Sequence, residues 1–355
     1  MKTNVVCRVP LAAVCALALS SVSFSLLRAQ TTTASAPDRQ MRDVLEMHAQ
    51  LAPKPMEQSS PKEARKAPSI ADAVKAVLKK QDKGTAPEPV EDVNNETITG
   101  LGGGKIKIRI YTPKGDGPFP VIVYFHGGGW VVADLDVYDA TPRALANAVG
   151  AVVVSAHYRQ APEHKFPAAH DDTFSAYKWV LENAAKIKGD PTKIAVAGES
   201  AGGNMAAAVS IRARDEHIQI PVHQLLIYPV ANFGFDTPSY EENANSRPLN
   251  REMMKWFFQH YLTLPEDGAN PWISLIKPGN NLKGLPPATI ITAQIDPLRS
   301  EGETLAKMLG EAGVPVEHRN YEGVSHEFFG TGAVVDKAKQ AVTDAAQALK
   351  KAFGR

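Results

Sequence analysis

The chain has 355 residues, a formal charge of +1 and 22% charged residues. That balance excludes a nucleic-acid or anionic-membrane surface role, and the length accommodates one large α/β domain with an accessory part. The two cysteines, Cys7 and Cys15, both fall in the N-terminal segment, so the remainder has no disulfide, thiol nucleophile or thiolate-bound zinc.

Lys2 and Arg8 precede an apolar run from Leu11 to Leu19, and small residues end the segment near Ala29. This reads as a secretory signal peptide over residues 1–29, too short for a comfortable membrane span. Cleavage near Ala29 moves the formal charge from +1 to −2 and implies a secreted or periplasmic protein. Residues 30–89 then form a leader and N-terminal cap helices. Met41, Val44, Leu45, His48 and Leu51 recur at helical spacing, as do Ile70, Ala73, Val74, Val77 and Leu78. Pro53, Pro55, Pro61 and Pro68 separate the two helices. Both are amphipathic and are expected to lie across the main domain as part of a cap.

The main domain spans residues 90–355. Alternation over Val93 to Thr99 and Lys105 to Tyr111, with glycines between, predicts an antiparallel hairpin. Pro120 to Phe125 is a continuous apolar run, the pattern of a central strand. It ends in His126-Gly127-Gly128-Gly129-Trp130, where successive glycines leave backbone N–H groups free to approach a ligand. Ala144, Leu145 and Ala148 share a helical face, and Ala151 to Ala156 is another buried strand. Tyr158 to Asp172 is a turn and helix start in which Arg159 and Asp172 are expected to pair beneath the site floor. His164, His170 and Asp171 lack a second cluster that would complete a metal site.

A short strand, Lys193 to Ala197, runs into Gly198-Glu199-Ser200-Ala201-Gly202, and a helix from Ala201 to Arg214 follows. A strand that becomes a helix within one or two residues cramps the corner residue, so the positions two before and two after it must be nearly free of side chain. Gly198 and Gly202 meet that demand. The corner holds the Ser200 hydroxyl over a helix N-terminus, whose free N–H groups suit an oxyanion.

The His126 to Trp130 loop, the Tyr158 to Asp172 stretch and the Gly198 to Gly203 elbow occur in the order of the hormone-sensitive-lipase family (family IV) of bacterial carboxylesterases. The chain resembles that family over about residues 37–354. The resemblance implies the α/β-hydrolase fold: a mostly parallel eight-stranded sheet flanked by helices, with a helical cap. Within this domain residues 231–285, too long for a plain loop, form an internal cap segment with a helix over Met253 to Tyr261. The chain departs from the family in four places. Glu199 replaces an aspartate and keeps its charge, and Gln160 replaces a leucine remote from the chemistry. Ser300 stands for a second aspartate, and Glu327 for the glycine after the histidine, where it bends the loop or brings a carboxylate to the site.

The remaining catalytic groups are expected in the order serine, acid, histidine. The strand Pro287 to Ile295 ends at Asp296-Pro297, which puts Asp296 on the same rim as Ser200; Glu301 is a weaker second. The family pattern places the histidine at His326, after a strand over Val314 to Tyr321, whereas His217, His223 and His260 sit in or beside helical or cap segments. A last helix runs from Val334 to Lys350. The reading is a serine carboxylesterase, by resemblance one for short- to medium-chain esters, with Ser200, Asp296 and His326 as triad and backbone N–H of Ala201, and by resemblance Gly128 and Gly129, as oxyanion hole. Gly127 serves the turn and His126 orients the loop. No cofactor or metal is expected, the partner is a small-molecule ester, and the reading admits a homodimer. An amidase or peptidase with the same triad, or a non-enzymatic ligand-binding protein on this fold, is the alternative.

Overall fold

The apolar runs become eight strands in a computed structural model that describes residues 36–355. The expected signal peptide with its cleavage site, and most of the leader, lie outside the described residues. The strands are β1 (Asp92–Thr99), β2 (Lys105–Thr112), β3 (Phe119–Phe125), β4 (Val152–His157), β5 (Gly189–Glu199), β6 (Gln224–Ile227), β7 (Ala288–Ile295) and β8 (Val316–Ser325). Their order across the sheet is β1-β2-β4-β3-β5-β6-β7-β8. β1 and β2 pair antiparallel, as do β2 and β4, and every other pair is parallel. This is the mostly parallel eight-stranded sheet that the family resemblance implies.

Around it lie α1 (Arg39–Leu51), α2 (Pro61–Ala64), α3 (Ile70–Lys80), α4 (Ala140–Val149), α5 (Ala168–Asn183), α6 (Ala201–Asp215), α7 (Pro238–Glu242), α8 (Arg251–Tyr261), α9 (Arg299–Glu311) and α10 (Asp336–Ala352). Among the described residues no helix is long and apolar enough to cross a membrane. Strand side chains alternate between faces, so β3 feeds two cores. Val121, Val123 and Phe125 join the core on one face with Phe174 and Met205, from α5 and α6. Ile122 and Tyr124 join the other with Leu145 of α4 and Leu349 of α10. Because both faces are covered, every residue of β3 is buried.

α1 and α3 place Met41, Val44, Val74 and Val77 in that second core, beside Phe328 and Phe329. Ser69 and Asp72 form a reciprocal capping box at the start of α3. The segment between the two helices meets the internal cap segment: Trp256 Nε1 of α8 donates to the Ser59 carbonyl at 3.2 Å.

β8 runs four residues past its predicted end at Tyr321. Gly323, at φ +68°, looks like a loop residue in sequence. Its N–H is nevertheless taken by the Gln294 side chain at 2.8 Å, and pairing with β7 resumes at Ile295 opposite Ser325. Asp296 and His326 therefore each follow directly from one of two adjacent strand ends. Gly198 of β5 lies opposite Phe125 of β3, so Ser200 and the glycine loop share the same edge. Ligands of open α/β sheets bind at this carboxyl edge of the strands.

The expected ion pair forms, but it sits against Gly100 and Gly104 at the β1–β2 turn and neither partner lines the cavity. Arg159 Nη2 donates to Asp172 Oδ1 at 2.7 Å, and its Nε and backbone N–H also reach the carboxylate. Asp172 is fully buried, whereas the Arg159 side chain keeps 27% of its surface exposed. Replacing Arg159 by Met leaves a buried, unpaired carboxylate. The expected loss is about 3 kcal/mol of unfolding free energy, the low end for broken buried pairs because Arg159 is partly solvated; urea denaturation measures it.

Candidate active site

Ser200 has φ 57° and ψ −120°, a conformation that L residues rarely adopt. Hydrogen bonds on both sides over-determine it. Its N–H donates to the Ile227 carbonyl at 2.9 Å, and its own carbonyl accepts from Asn204 and Val230. The glycines allow the crossing. A Cβ on Gly198 would lie 2.2 Å from the Gly202 carbonyl oxygen, and one on Gly202 2.0 Å from that of Phe125. Ala201 occupies the first position of α6, so its N–H has no acceptor within the helix.

His326 and Asp296 complete a continuous chain of hydrogen bonds. The Ser200 hydroxyl faces His326 Nε2 at 2.9 Å, and His326 Nδ1 lies 2.6 Å from Asp296 Oδ2. The carboxylate requires Nδ1 to carry the proton, which leaves Nε2 as the acceptor for serine. Asp296 Oδ1 is held by the Leu298 N–H at 2.8 Å. Burial disfavours the imidazolium, but Asp296, reinforced by Glu327 and Glu199, holds the His326 pKa above its ordinary value. Glu301 acts elsewhere, its Oε2 accepting from Ala231 and Asn232 N–H where the chain enters the cap segment. His217 follows α6, and His260 lies in α8. His223, expected beside a helical or cap segment, instead heads β6 and bonds Thr289 at the far end of the sheet.

Gly128 and Gly129 have φ +98° and +55°. The Gly128 carbonyl accepts from Val131 and Val132 N–H, closing the turn. Among the described residues, the N–H groups of Gly128 and Gly129 donate to no protein acceptor. At Gly127 close approach, more than the turn itself, requires a glycine, since a Cβ there would lie 2.3 Å from the Tyr138 hydroxyl. His126 Nδ1 meets the Gly127 carbonyl at 2.8 Å and Nε2 meets His157. Burial, with His157 adding to it, drives its pKa down to about 3, so His126 is a neutral brace.

Three departures from the family pattern acquire roles. Gln160 is not remote: its amide donates to the carbonyls of Val132 and Ala133, both at 2.8 Å, bracing the chain just past the glycines. A leucine cannot make these bonds. Glu199 does not simply keep the charge of aspartate. It is buried among the Tyr124 and Tyr228 hydroxyls, and burial followed by repulsion from Glu327 pushes its pKa up to about 7. Ser300 exchanges hydrogen bonds with Ser239, tying α9 to α7. Two of the three candidate metal residues are otherwise engaged: His170 with Tyr261 and Asn204, and Asp171 with Arg212.

Sequence reasoning missed Arg65, which follows α2. Its Nε donates to the Val131 carbonyl at 2.8 Å and Nη2 to that of Ala161 at 2.6 Å, while Glu163 pairs with the fork. With Gln160 it holds three successive carbonyls of the loop, residues 131–133. No local pattern marks a contact over 66 residues. A cavity of about 550 Å³ opens above Ser200 and His326, walled by Met56, Val132, Tyr138, Leu249, Met253 and Phe257. Of the α8 aromatics, Phe257 thus faces the cavity. Trp256 borders the Ser59 segment, and Phe258 packs inside, tilted against Trp130 and edge-on to Phe233.

The chain matches, over residues 122–330, the profile of a family described as alpha/beta hydrolase fold. It is 42% identical to a carboxylesterase of Mycobacterium tuberculosis, NlhH, over 76% of this chain and 86% of that protein. It is 32% identical to an ethyl acetate hydrolase of Pseudomonas putida over 75% of this chain and 85% of that one. Among solved structures, a hyperthermophilic esterase of Pyrobaculum calidifontis superposes with a TM-score of 0.80 at 39% identity, covering 89% of this chain and 98% of its own.

Arg65 gives this geometry a direct test. Arg65→Ala frees the Val131 and Ala161 carbonyls, and kcat is expected to fall about tenfold by misplacing the loop. Arg65→Lys keeps the charge without the fork and should recover little of the loss; steady-state kinetics on both variants checks this.

Proposed function

The chain belongs to the hormone-sensitive-lipase family of carboxylesterases on the α/β-hydrolase fold and is a carboxylic ester hydrolase; we propose that it works through an acyl-enzyme on Ser200, with Asp296 and His326 completing the triad. The observation that carries the reading is the unbroken Ser200–His326–Asp296 hydrogen-bond chain, which opens into a cavity lined by Gly128 and Gly129, whose N–H groups have no protein acceptor among the described residues.

His326 Nε2 takes the serine proton as Oγ attacks the ester carbonyl. The negative charge that develops on the carbonyl oxygen is met by N–H groups of Gly128, Gly129 and Ala201. Such donors are fixed before the reaction, and each is worth on the order of a hundredfold in rate. The imidazolium then protonates the leaving alcohol. Water, activated by the same histidine, releases the acid and restores Ser200. No step calls on a cofactor.

A cavity of about 550 Å³, bounded by Leu249, Met253 and Phe257, supports short- to medium-chain esters. The similarity to an ethyl acetate hydrolase points the same way. The apolar segment ending near Ala29 supports a secreted or periplasmic location.

The decisive assay is initial rates on p-nitrophenyl esters from acetate to palmitate, with Ser200→Ala in parallel. Rates should peak at short chains and vanish in the variant while its thermal melt stays intact. Full activity in Ser200→Ala would sink the assignment, and a peak at palmitate would overturn the chain-length reading. The pH profile follows from His326. Attack needs the neutral imidazole, whose pKa stands above the ordinary 6.5. Activity should therefore be present at alkaline pH and fall as pH drops through a midpoint above 6.5, read from kcat/KM.

A further inference from the structure

Two carboxylates flank the triad without belonging to it. Glu199 precedes the serine, and Glu327 follows the histidine. Glu327 has φ +67°, a region that costs a glutamate energy and a glycine almost none. Its side chain nevertheless turns inward to the cavity wall. Oε1 accepts from the Tyr138 hydroxyl at 2.5 Å and stands 3.8 Å from His326 Nε2. That same hydroxyl packs against Gly127. One carboxylate thus joins the histidine loop to the glycine loop and faces the nitrogen that handles the serine proton.

At 3.8 Å the contact is an ion-pair distance and too long for a hydrogen bond. Nε2 is an uncharged acceptor at rest and carries N–H⁺ only while the reaction proceeds. A fixed anion beside it interacts weakly with the ground state and strongly with the transition state, which is the condition for lowering a barrier.

We propose that Glu327, held by Tyr138, is a positioning residue of the esterase: a second carboxylate that stabilises the His326 imidazolium from its Nε2 side, as Asp296 does from Nδ1. This rests on the triad reading above. The groups facing this pair are Tyr138, Tyr124 of β3, Glu199 of β5, Tyr158 after β4, Tyr228 after β6 and Asp296 after β7. His326 is the one basic group among them. Glu199 is fully enclosed and bonded by two phenols, and burial and then repulsion from Glu327 push its pKa up to about 7; burial raises Glu327 as well, but His326 and the Tyr138 hydroxyl beside it favour its charged form. In this proposal the charge resides on Glu327, which stands beside His326 and keeps 23% of its side chain exposed. Glu327 accepts no proton in the cycle. The serine proton stays on Nε2 until it passes to the leaving oxygen.

The test is kcat/KM against pH on p-nitrophenyl acetate for the purified enzyme and its Glu327→Gln, Glu327→Gly and Tyr138→Phe variants. Removing the anion removes support for the imidazolium. The acid limb of Glu327→Gln and Glu327→Gly should therefore move to lower pH, while plateau kcat/KM falls about tenfold. Tyr138→Phe should move the limb the same way by less. Glu327→Gly relieves the left-handed backbone, so a loss of rate in it is not a loss of folding, and thermal melts of all variants verify this. The downfield proton resonance of His326 Nδ1–H should titrate at correspondingly lower pH. An acid limb that stays in place or moves upward in folded Glu327→Gln or Glu327→Gly overturns the proposal. Ser200→Ala separates the two readings: hydrolysis that does not depend on Ser200 defeats the triad itself, whereas Ser200-dependent hydrolysis with an unmoved acid limb defeats only the role of Glu327.

Discussion

The site depends on how closely one helix approaches two strands. α6 begins where β5 ends, and its first turn passes over the carbonyl of Phe125 at the end of β3. Nothing larger than a hydrogen fits at Gly202, where a methyl carbon would lie 2.0 Å from that oxygen. The approach fixes three things together. Ser200 is pushed into a left-handed conformation. The N-terminus of α6 comes level with the glycine loop. Both meet the ends of β7 and β8, from which Asp296 and His326 emerge. The parallel register of the central strands supplies the alignment, and the glycine contact supplies the closeness.

Much of this is legible from residues in their local order. Gly198, Ser200 and Gly202 sit at a strand-to-helix corner, and the need for missing side chains there can be read from spacing. Asp296-Pro297 at the end of an apolar run is legible for the same reason: strand, end and rim follow from pattern. The end of β8 is not, because Gly323 carries a loop signal, and only a side chain on the neighbouring strand, Gln294, compensates it. Arg65 and Gln160 escape such a reading because their partners are carbonyls. Every residue offers a carbonyl, so no residue type announces which one is held. The fate of the Glu199 charge depends on burial and on the neighbouring Glu327, neither of which composition records.

Around the reactive groups the protein spends its polar side chains on holding backbone. Arg65 and Gln160 fasten carbonyls past the glycines, Tyr158 and His126 fasten those within the loop, and Glu301 fastens N–H groups at the entry to the cap. An oxyanion site made of main-chain N–H groups has no rotamer to lock, so its precision comes from fixing the chain on either side. The cost is that such groups are wholly or partly withdrawn from water, and the backbone they hold supplies the hydrogen bonds they give up.

The tie between the two ends of the described chain has a consequence for the order in which the enzyme becomes whole. The Asp38 N–H donates to the Gly323 carbonyl at 2.8 Å, and its carboxylate pairs with Lys337. Arg65, a few turns later, secures the glycine loop. On a ribosome the N-terminal helices emerge long before β8, the strand to which Asp38 is tied. α1 and α3 pack on each other, but their seat beside β8 exists only once residues 316–325 have been made. Ser200 shares that timing, since His326, its hydrogen-bond partner, directly follows the same late strand.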